Sequence, residues 1–212
     1  MSNYQKIYNT VMEGDDQSAL DEAQILLDTG VEPIDIINNG LIAAMEEIGA
    51  LFKEGELFIP EVMMSAQTVT GVIEMLKPYI SGETRSKGVV VIGTVKGDLH
   101  DIGKNLVALL LSSNGYTVHD LGNDVQEADF VKAALEYNAD IVALSALLTT
   151  TMINMDATIH AFIDAALRDK VKIIIGGAPV SAEYAEEIGA DGYSEDAQGA
   201  VELAGKLLEG RI

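Results

Sequence analysis

A chain of 212 residues, 48% hydrophobic and 22% charged, is long enough for one large or two smaller globular domains with real cores. Its 34 acidic residues outnumber 13 basic ones, and the net charge of -21 argues against a nucleic-acid backbone or an anionic membrane surface as partner and favours basic protein surfaces. There is no cysteine, which excludes disulfides, thiolate metal sites and cysteine nucleophiles. The start, Met1-Ser2-Asn3-Tyr4-Gln5-Lys6, lacks the pattern of a secretory signal and no apolar run reaches membrane-spanning length, so the expected compartment is the cytoplasm.

Up to about residue 80 the apolar positions recur at helical spacing. Ile7, Val11 and Met12 form one stripe; Leu20, Ala23, Leu26 and Leu27 form a second after the polar break Gly14-Asp15-Asp16. Pro33 suits the first turn of a third helix carrying Ile36, Ile37, Leu41, Ala44, Met45, Ile48 and Phe52, which Gly55 stops. Pro60 opens a fourth, with Val62, Met63, Ala66, Val69, Ile73 and Leu76 inward. Short connections make these a four-helix bundle, its methionines Met45, Met63, Met64 and Met75 read as core filler. The loop from Phe52 to Ile59 is unusually apolar for a loop, as if it covers something.

The polar stretch Ser81 to Lys87 marks a domain boundary, giving domains 1–82 and 88–212. Beyond it, strands at 88–93, 116–121, 140–145, 171–176 and 191–194 alternate with helices at 102–114, 126–137, 153–169, 181–188 and 196–209. Near-continuous apolar strands such as Ile141-Val142-Ala143-Leu144 belong to a parallel sheet covered on both faces. The fold class is therefore α/β, a flavodoxin-like (Rossmann-type) five-stranded sheet of order 2-1-3-4-5 behind the helical bundle. In that order the ligand crevice opens between the first and third strands.

Three strand ends converge on that crevice. After the first strand comes Gly97-Asp98-Leu99-His100-Asp101-Ile102-Gly103, in which Asp98 and His100 point the same way if extended, so the carboxylate can hold one imidazole nitrogen and leave the other facing outward for a metal. Asp101 suits a helix N-cap, and Gly103 leaves the first helical turn bare for something large and flat. Ser145 to Thr151 follows the third strand and Gly176-Gly177 the fourth; small hydroxyls and paired glycines there describe a deep slot. Taken singly, each also reads as an ordinary turn histidine, a helix N-cap or a simple glycine turn.

Together these strings resemble the corrinoid proteins of cobalamin-dependent methyltransferases, a family that includes the cobalamin-binding region of methionine synthase. The resemblance spans nearly the whole chain: a helical cap, Asp98-x-His100-x-x-Gly103, Ser145-x-Leu147, and Gly176-Gly177. It implies a base-off, histidine-on cobalamin with His100 as the lower cobalt ligand, Asp98 as its partner, and Thr151 completing the relay where relatives often carry serine. Asp101, Ile102 and Gly103 are implied to lie against the cofactor, and the displaced nucleotide tail to enter the slot of Ser145, Leu147, Thr149, Gly176 and Gly177. Phe52 and Ile59 match the cap's places over the upper face.

The resemblance further implies a methyl carrier without a catalytic site of its own, in which Co(I) takes a methyl group from a donor and methyl-Co(III) passes it to an acceptor such as tetrahydrofolate or coenzyme M. Its partners would be a substrate:corrinoid methyltransferase, a corrinoid:acceptor methyltransferase and a reductive activase. The rival readings are the cobalamin-binding part of a carbon-skeleton mutase, a corrinoid- or light-sensing domain, and a ligand-free signalling receiver.

Overall fold

The computed structural model describes residues 4–79 and 86–209. The chain divides into two compact units, one helical and one α/β. The expected boundary segment 81–87 falls mostly outside the described residues.

The helical unit begins with α1 (Gln5–Glu13) and α2 (Asp16–Asp28). Gly14 adopts φ 65 to end α1, and Asp15 then caps α2 by accepting the Ser18 N–H at 3.1 Å. The expected third helix is one helical run in three parts, α3 (Pro33–Ile36), a π-helical segment Ile37–Ile42 and α4 (Ala43–Lys53). Within the π segment, a Cβ on Gly40 would lie 2.8 Å from Ile7 Cγ2, so the missing side chain is what lets α1 lie against it. Gly55, at φ 76, turns the chain towards α5 (Ile59–Leu76), which ends in the 3-10 turn Lys77–Tyr79.

The buried face of α5 differs from the one its apolar residues outline. Val62, Ala66, Val69 and Leu76 are inward as expected, but Met63 and Met64 are exposed and Ile73 is half-buried; Ser65, Thr68 and Val72 take the inner stripe. The reason is a polar contact: the Thr68 hydroxyl donates to the Asp16 carboxylate of α2, which turns that face of the helix inward. Met45 is core filler as expected, whereas Met63 and Met64 are not.

In the α/β unit the elements are β1 (Val89–Thr94), α6 (Ile102–Ser113), β2 (Thr117–Asp120), α7 (Glu127–Glu136), β3 (Ile141–Ser145), α8 (Ile153–Asp164), β4 (Lys172–Gly176), α9 (Ala182–Ile188), β5 (Gly192–Ser194) and α10 (Ala197–Leu208). All strand pairs are parallel and the order is β2-β1-β3-β4-β5, as the sequence predicts. The register lines up Thr94, Ser145, Gly176 and Ser194 in one row, so the carboxyl ends of β1, β3, β4 and β5 form a single edge.

Helix α8 stops five residues short of the expected 153–169. Leu167 N–H donates to Phe162 O and Ala166 N–H to Ile163 O, both at 2.9 Å, with Ala166 at φ 55: a Schellman closure built on alanine, tied down by the buried Leu167. No glycine announces it.

Phe130 of α7 and Phe162 of α8 are fully buried against one face of the sheet with Val91, Val142 and Ile173. A Cβ on Gly93 of β1 would sit 2.8 Å from the Phe130 ring and 3.2 Å from Val125, so the strand is glycine there to receive the ring. Overpacking a close-packed core costs about 1–3 kcal/mol. Gly93→Ala is accordingly expected to lose that much stability in urea denaturation, and Phe130→Leu to cost less in its background than in the wild type. Strict additivity of the two changes would show that they do not meet.

Candidate functional site

The edge formed by β1, β3 and β4 is organised by Asp98, whose side chain is fully buried. After β1 the chain turns at Gly97, φ 78, whose N–H donates to Asp124 Oδ1 at 2.7 Å; the Asp124 N–H returns a bond to Asp98 O at 3.0 Å. Asn154 of α8 holds Lys96 O at 2.7 Å. The turn is therefore fixed from two sides before it delivers Asp98.

Asp98 Oδ1 accepts from His100, through the backbone N–H at 3.1 Å and ring Nδ1 at 2.8 Å. Asp98 Oδ2 accepts from Leu147 N–H at 2.8 Å, Leu148 N–H at 3.2 Å and the Thr151 hydroxyl at 2.6 Å. Burial by itself raises the Asp98 carboxyl, but the Thr151 hydroxyl, the Leu147 and His100 amides and the imidazole outweigh it and hold the group well below the usual carboxylate range. Facing a fixed anion, Nδ1 is the nitrogen that carries the proton in the neutral ring, which leaves the Nε2 lone pair outward in that tautomer. The His100 side chain is 51% exposed, its backbone carbonyl pinned by the Thr94 hydroxyl at 3.0 Å. The result is an imidazole held in a set orientation on an accessible edge.

Beside it, Ile102 is 82% exposed, and a Cβ on Gly103 would meet nothing within 4 Å. The first turn of α6 thus presents a bare, apolar surface next to His100. Asp101 directly precedes the helix and its carbonyl accepts from Asn105 N–H at 2.7 Å. Ser145 and Leu147 lie on the same edge, Leu147 through its amide on Asp98. The helix-capping reading of the hydroxyl cluster fails: α8 has Met152 at its N-cap position with no side-chain cap, and the Thr151 hydroxyl serves Asp98 instead. Thr149 lines a depression of about 480 Å³ with Met152, Ile153, Asp156, Tyr184, Glu187 and Ile188.

The glycine pair has a reason beyond leaving space in a slot. Gly177 has φ 129, and a Cβ there would lie 1.9 Å from Ala146 O; one on Gly176 would be 3.1 Å from Ser194 O. The backbone itself requires glycine at 177, whereas a Cβ at 176 needs Ser194 O to give by a few tenths of an ångström; filling position 177 therefore distorts the β3 and β4 ends before it obstructs any ligand. In the helical unit, Phe52 ends α4 half-buried and Ile59 begins α5 at 45% exposed.

Sequence reasoning missed Lys104. Its side chain is 1% exposed and its ammonium reaches Asp120 Oδ1 at 2.6 Å, Asp120 Oδ2 at 2.5 Å and Asn105 Oδ1 at 2.5 Å. This ties the first turn of α6 to the end of β2. The signal was present: a cation in the first turn of a helix opposes the macrodipole and needs a carboxylate to hold it there.

Comparison with known proteins accords with this geometry. Residues 88–202 match the B12 binding domain family, and residues 4–77 match a second family model also described as a B12 binding domain. Two matched domains of this kind define a B12-binding protein in which a helical module precedes the α/β domain. Over 212 residues the chain is 42% identical to a corrinoid protein of Desulfitobacterium hafniense, covering 98% of each. It is 45% identical to dimethylamine corrinoid protein 1 of Methanosarcina mazei over 85% of both chains, and 41% identical to trimethylamine corrinoid protein 1 of Methanosarcina acetivorans over 96% of this chain and 95% of that one. Among solved structures, a chain of the methanol:cobalamin methyltransferase complex of Methanosarcina barkeri superposes with a TM-score of 0.90 at 31% identity, over 98% of this chain and 80% of that chain. The protein belongs to the B12-binding corrinoid protein family.

Removing one donor from a buried charged acceptor costs about 1–3 kcal/mol. Thr151→Val, which keeps the shape and deletes the hydroxyl, is expected to lose that much stability in urea denaturation of the ligand-free protein. Thr151→Ser restores most of it. Equal stability of the valine variant and the wild type would mean that the hydroxyl does not hold Asp98.

Proposed function

We propose that this protein is a corrinoid methyl carrier of a methyltransferase system, holding its corrinoid in the base-off, histidine-on form. The observation that carries the reading is the fixed pair of Asp98 and His100, with Nε2 free on an accessible edge. Among the described residues no three histidine, aspartate or glutamate side chains converge as a metal site. A metal held by His100 must therefore bring most of its ligands with it, as cobalt in a corrin ring does.

The residues fit that group. His100 Nε2 would ligate the cobalt, Asp98 and Thr151 would hold the imidazole in register, and Ile102 with Gly103 would offer the ring a surface without bulk. When bound, the corrinoid supplies a cobalt centre that accepts a methyl group from one partner and yields it to another. The chain contributes the lower ligand and its hydrogen-bonded support; Ser145, Leu147, Thr149, Gly176 and Gly177 are assigned to the lower side around the nucleotide tail. Phe52 and Ile59, with exposed Phe58, Met63 and Met64 on the same unit, are assigned to shielding the bound corrinoid from water.

A carrier of this kind works with a substrate:corrinoid methyltransferase, a corrinoid:acceptor methyltransferase and a reductive activase. The names of the relatives support a methylamine or methanol donor system. Tetrahydrofolate or a thiol such as coenzyme M is the proposed class of acceptor. An acidic carrier of net charge -21 is suited to successive docking on basic partner surfaces.

The test is electron paramagnetic resonance of the cobalamin-loaded protein in the Co(II) state. The wild type is expected to show nitrogen splitting from the imidazole, and His100→Ala to lose it, with a matching change in the visible spectrum. Identical spectra for the two proteins would remove histidine ligation.

A further inference from the structure

Gln198 is 7% exposed, and its Oε1 is the one buried side-chain oxygen or nitrogen atom among the described residues with no hydrogen-bond partner. A buried acceptor left alone is costly, and in native structures such an atom calls for a reason. Helix α10 is capped by Asp196, which accepts from Gly199 N–H at 2.6 Å, so Gln198 needs no part in capping.

Its place in the fold supplies the reason. The helix leaves the carboxyl end of β5, where Ser194 pairs with Gly176, and so its first turn stands on the same edge as the glycine pair. Gly205 lies seven residues on, on the same helical stripe as Gln198, and a Cβ there would be 3.7 Å from the Tyr116 hydroxyl, just ahead of β2. That stripe therefore looks across the sheet face shared with α6, whose own first turn has open space at Gly103. Gln198 thus places an unused, buried acceptor in the first turn of α10, at the carboxyl edge of the sheet that also carries the glycine pair.

We infer that Gln198 Oε1 accepts a hydrogen bond from a ribose hydroxyl of the corrinoid's nucleotide tail, making Gln198 a residue that selects complete corrinoids by their sugar. The inference rests on the carrier reading above and adds a contact within it. The chemistry of the tail narrows the donor: a phosphodiester has no proton to give, and dimethylbenzimidazole joined to the sugar through one nitrogen offers only an acceptor at the other. Within the nucleotide itself ribose hydroxyls are what remains; the amide N–H donors of the corrin rim and of the aminopropanol arm are shared with cobinamide, so that probe separates them from the sugar. Because the sugar is common to corrinoids with different bases, the contact is blind to the base.

Three probes separate the outcomes: cobalamin, the corrinoid carrying adenine as its base, and cobinamide, which lacks the nucleotide. Gln198→Met is expected to weaken both complete corrinoids by about three- to tenfold, the worth of one hydrogen bond, and to leave cobinamide affinity unchanged. The melting temperature of the ligand-free variant should hold or rise, since an orphaned polar atom is removed. Cobinamide binding also reports that the variant is folded, and Gln198→Leu provides a second apolar side chain. Equal losses for cobinamide, a loss confined to one base, unchanged cobalamin affinity or a lowered melting temperature would each overturn the inference. If the wild type bound none of the three, the carrier reading itself would fall, a result distinct from the loss of Gln198's role alone.

Discussion

A fully buried carboxylate that accepts five hydrogen bonds is the constraint on which the rest of this edge depends. Isolated, a buried Asp98 would be expensive to ionise; with donors from His100, Leu147, Leu148 and Thr151 it is held as an anion. The same bonds do two further things. They lock the loop after β3 onto the loop after β1, and they choose the histidine tautomer. One set of contacts holds both the loop and the ring, so loosening the loop also loosens the imidazole.

The sheet makes this meeting possible. In the order β2-β1-β3-β4-β5 the strand succession reverses between β1 and β3, and the loops that follow these two strands meet at Asp98, with His100 beside it. Lys104 and Asp120 secure the helix on one side of this meeting point, and close backbone contacts at Gly176 and Gly177 secure the other. What lies between is an edge held by its own hydrogen bonds and backbone contacts. The helical unit, taken by itself, exposes the apolar residues Phe58, Ile59, Met63 and Met64 around the start of α5.

Much of this was legible in the sequence because it rests on short-range periodicity. Apolar strands such as Val89 to Ile92 and Ile173 to Ile175 gave the sheet, and the two-residue spacing of Asp98 and His100 gave their contact. Less legible were features that depend on the identity of a distant neighbour. Ala166 closes α8 in a conformation that favours glycine, because Leu167 is buried behind it. Thr68 turns inward because Asp16 is opposite, and the π segment at Ile37–Ile42 has no local marker. Gly177 read as spare room, whereas the proximity of Ala146 O makes it a requirement of the backbone. Thr151 read as a cap or a relay, and only the fold shows its hydroxyl on Asp98 with no side-chain cap on α8.

The central claim is that the protein alone sets the imidazole, with the proton on the nitrogen facing Asp98 and the lone pair on the other. Nitrogen NMR of the ligand-free protein, labelled at histidine and studied at a pH where the ring is neutral, reads this directly. His100 is expected to show a protonated, pyrrole-like Nδ1 and a bare, pyridine-like Nε2. A proton on Nε2 with a bare Nδ1 would contradict the claim.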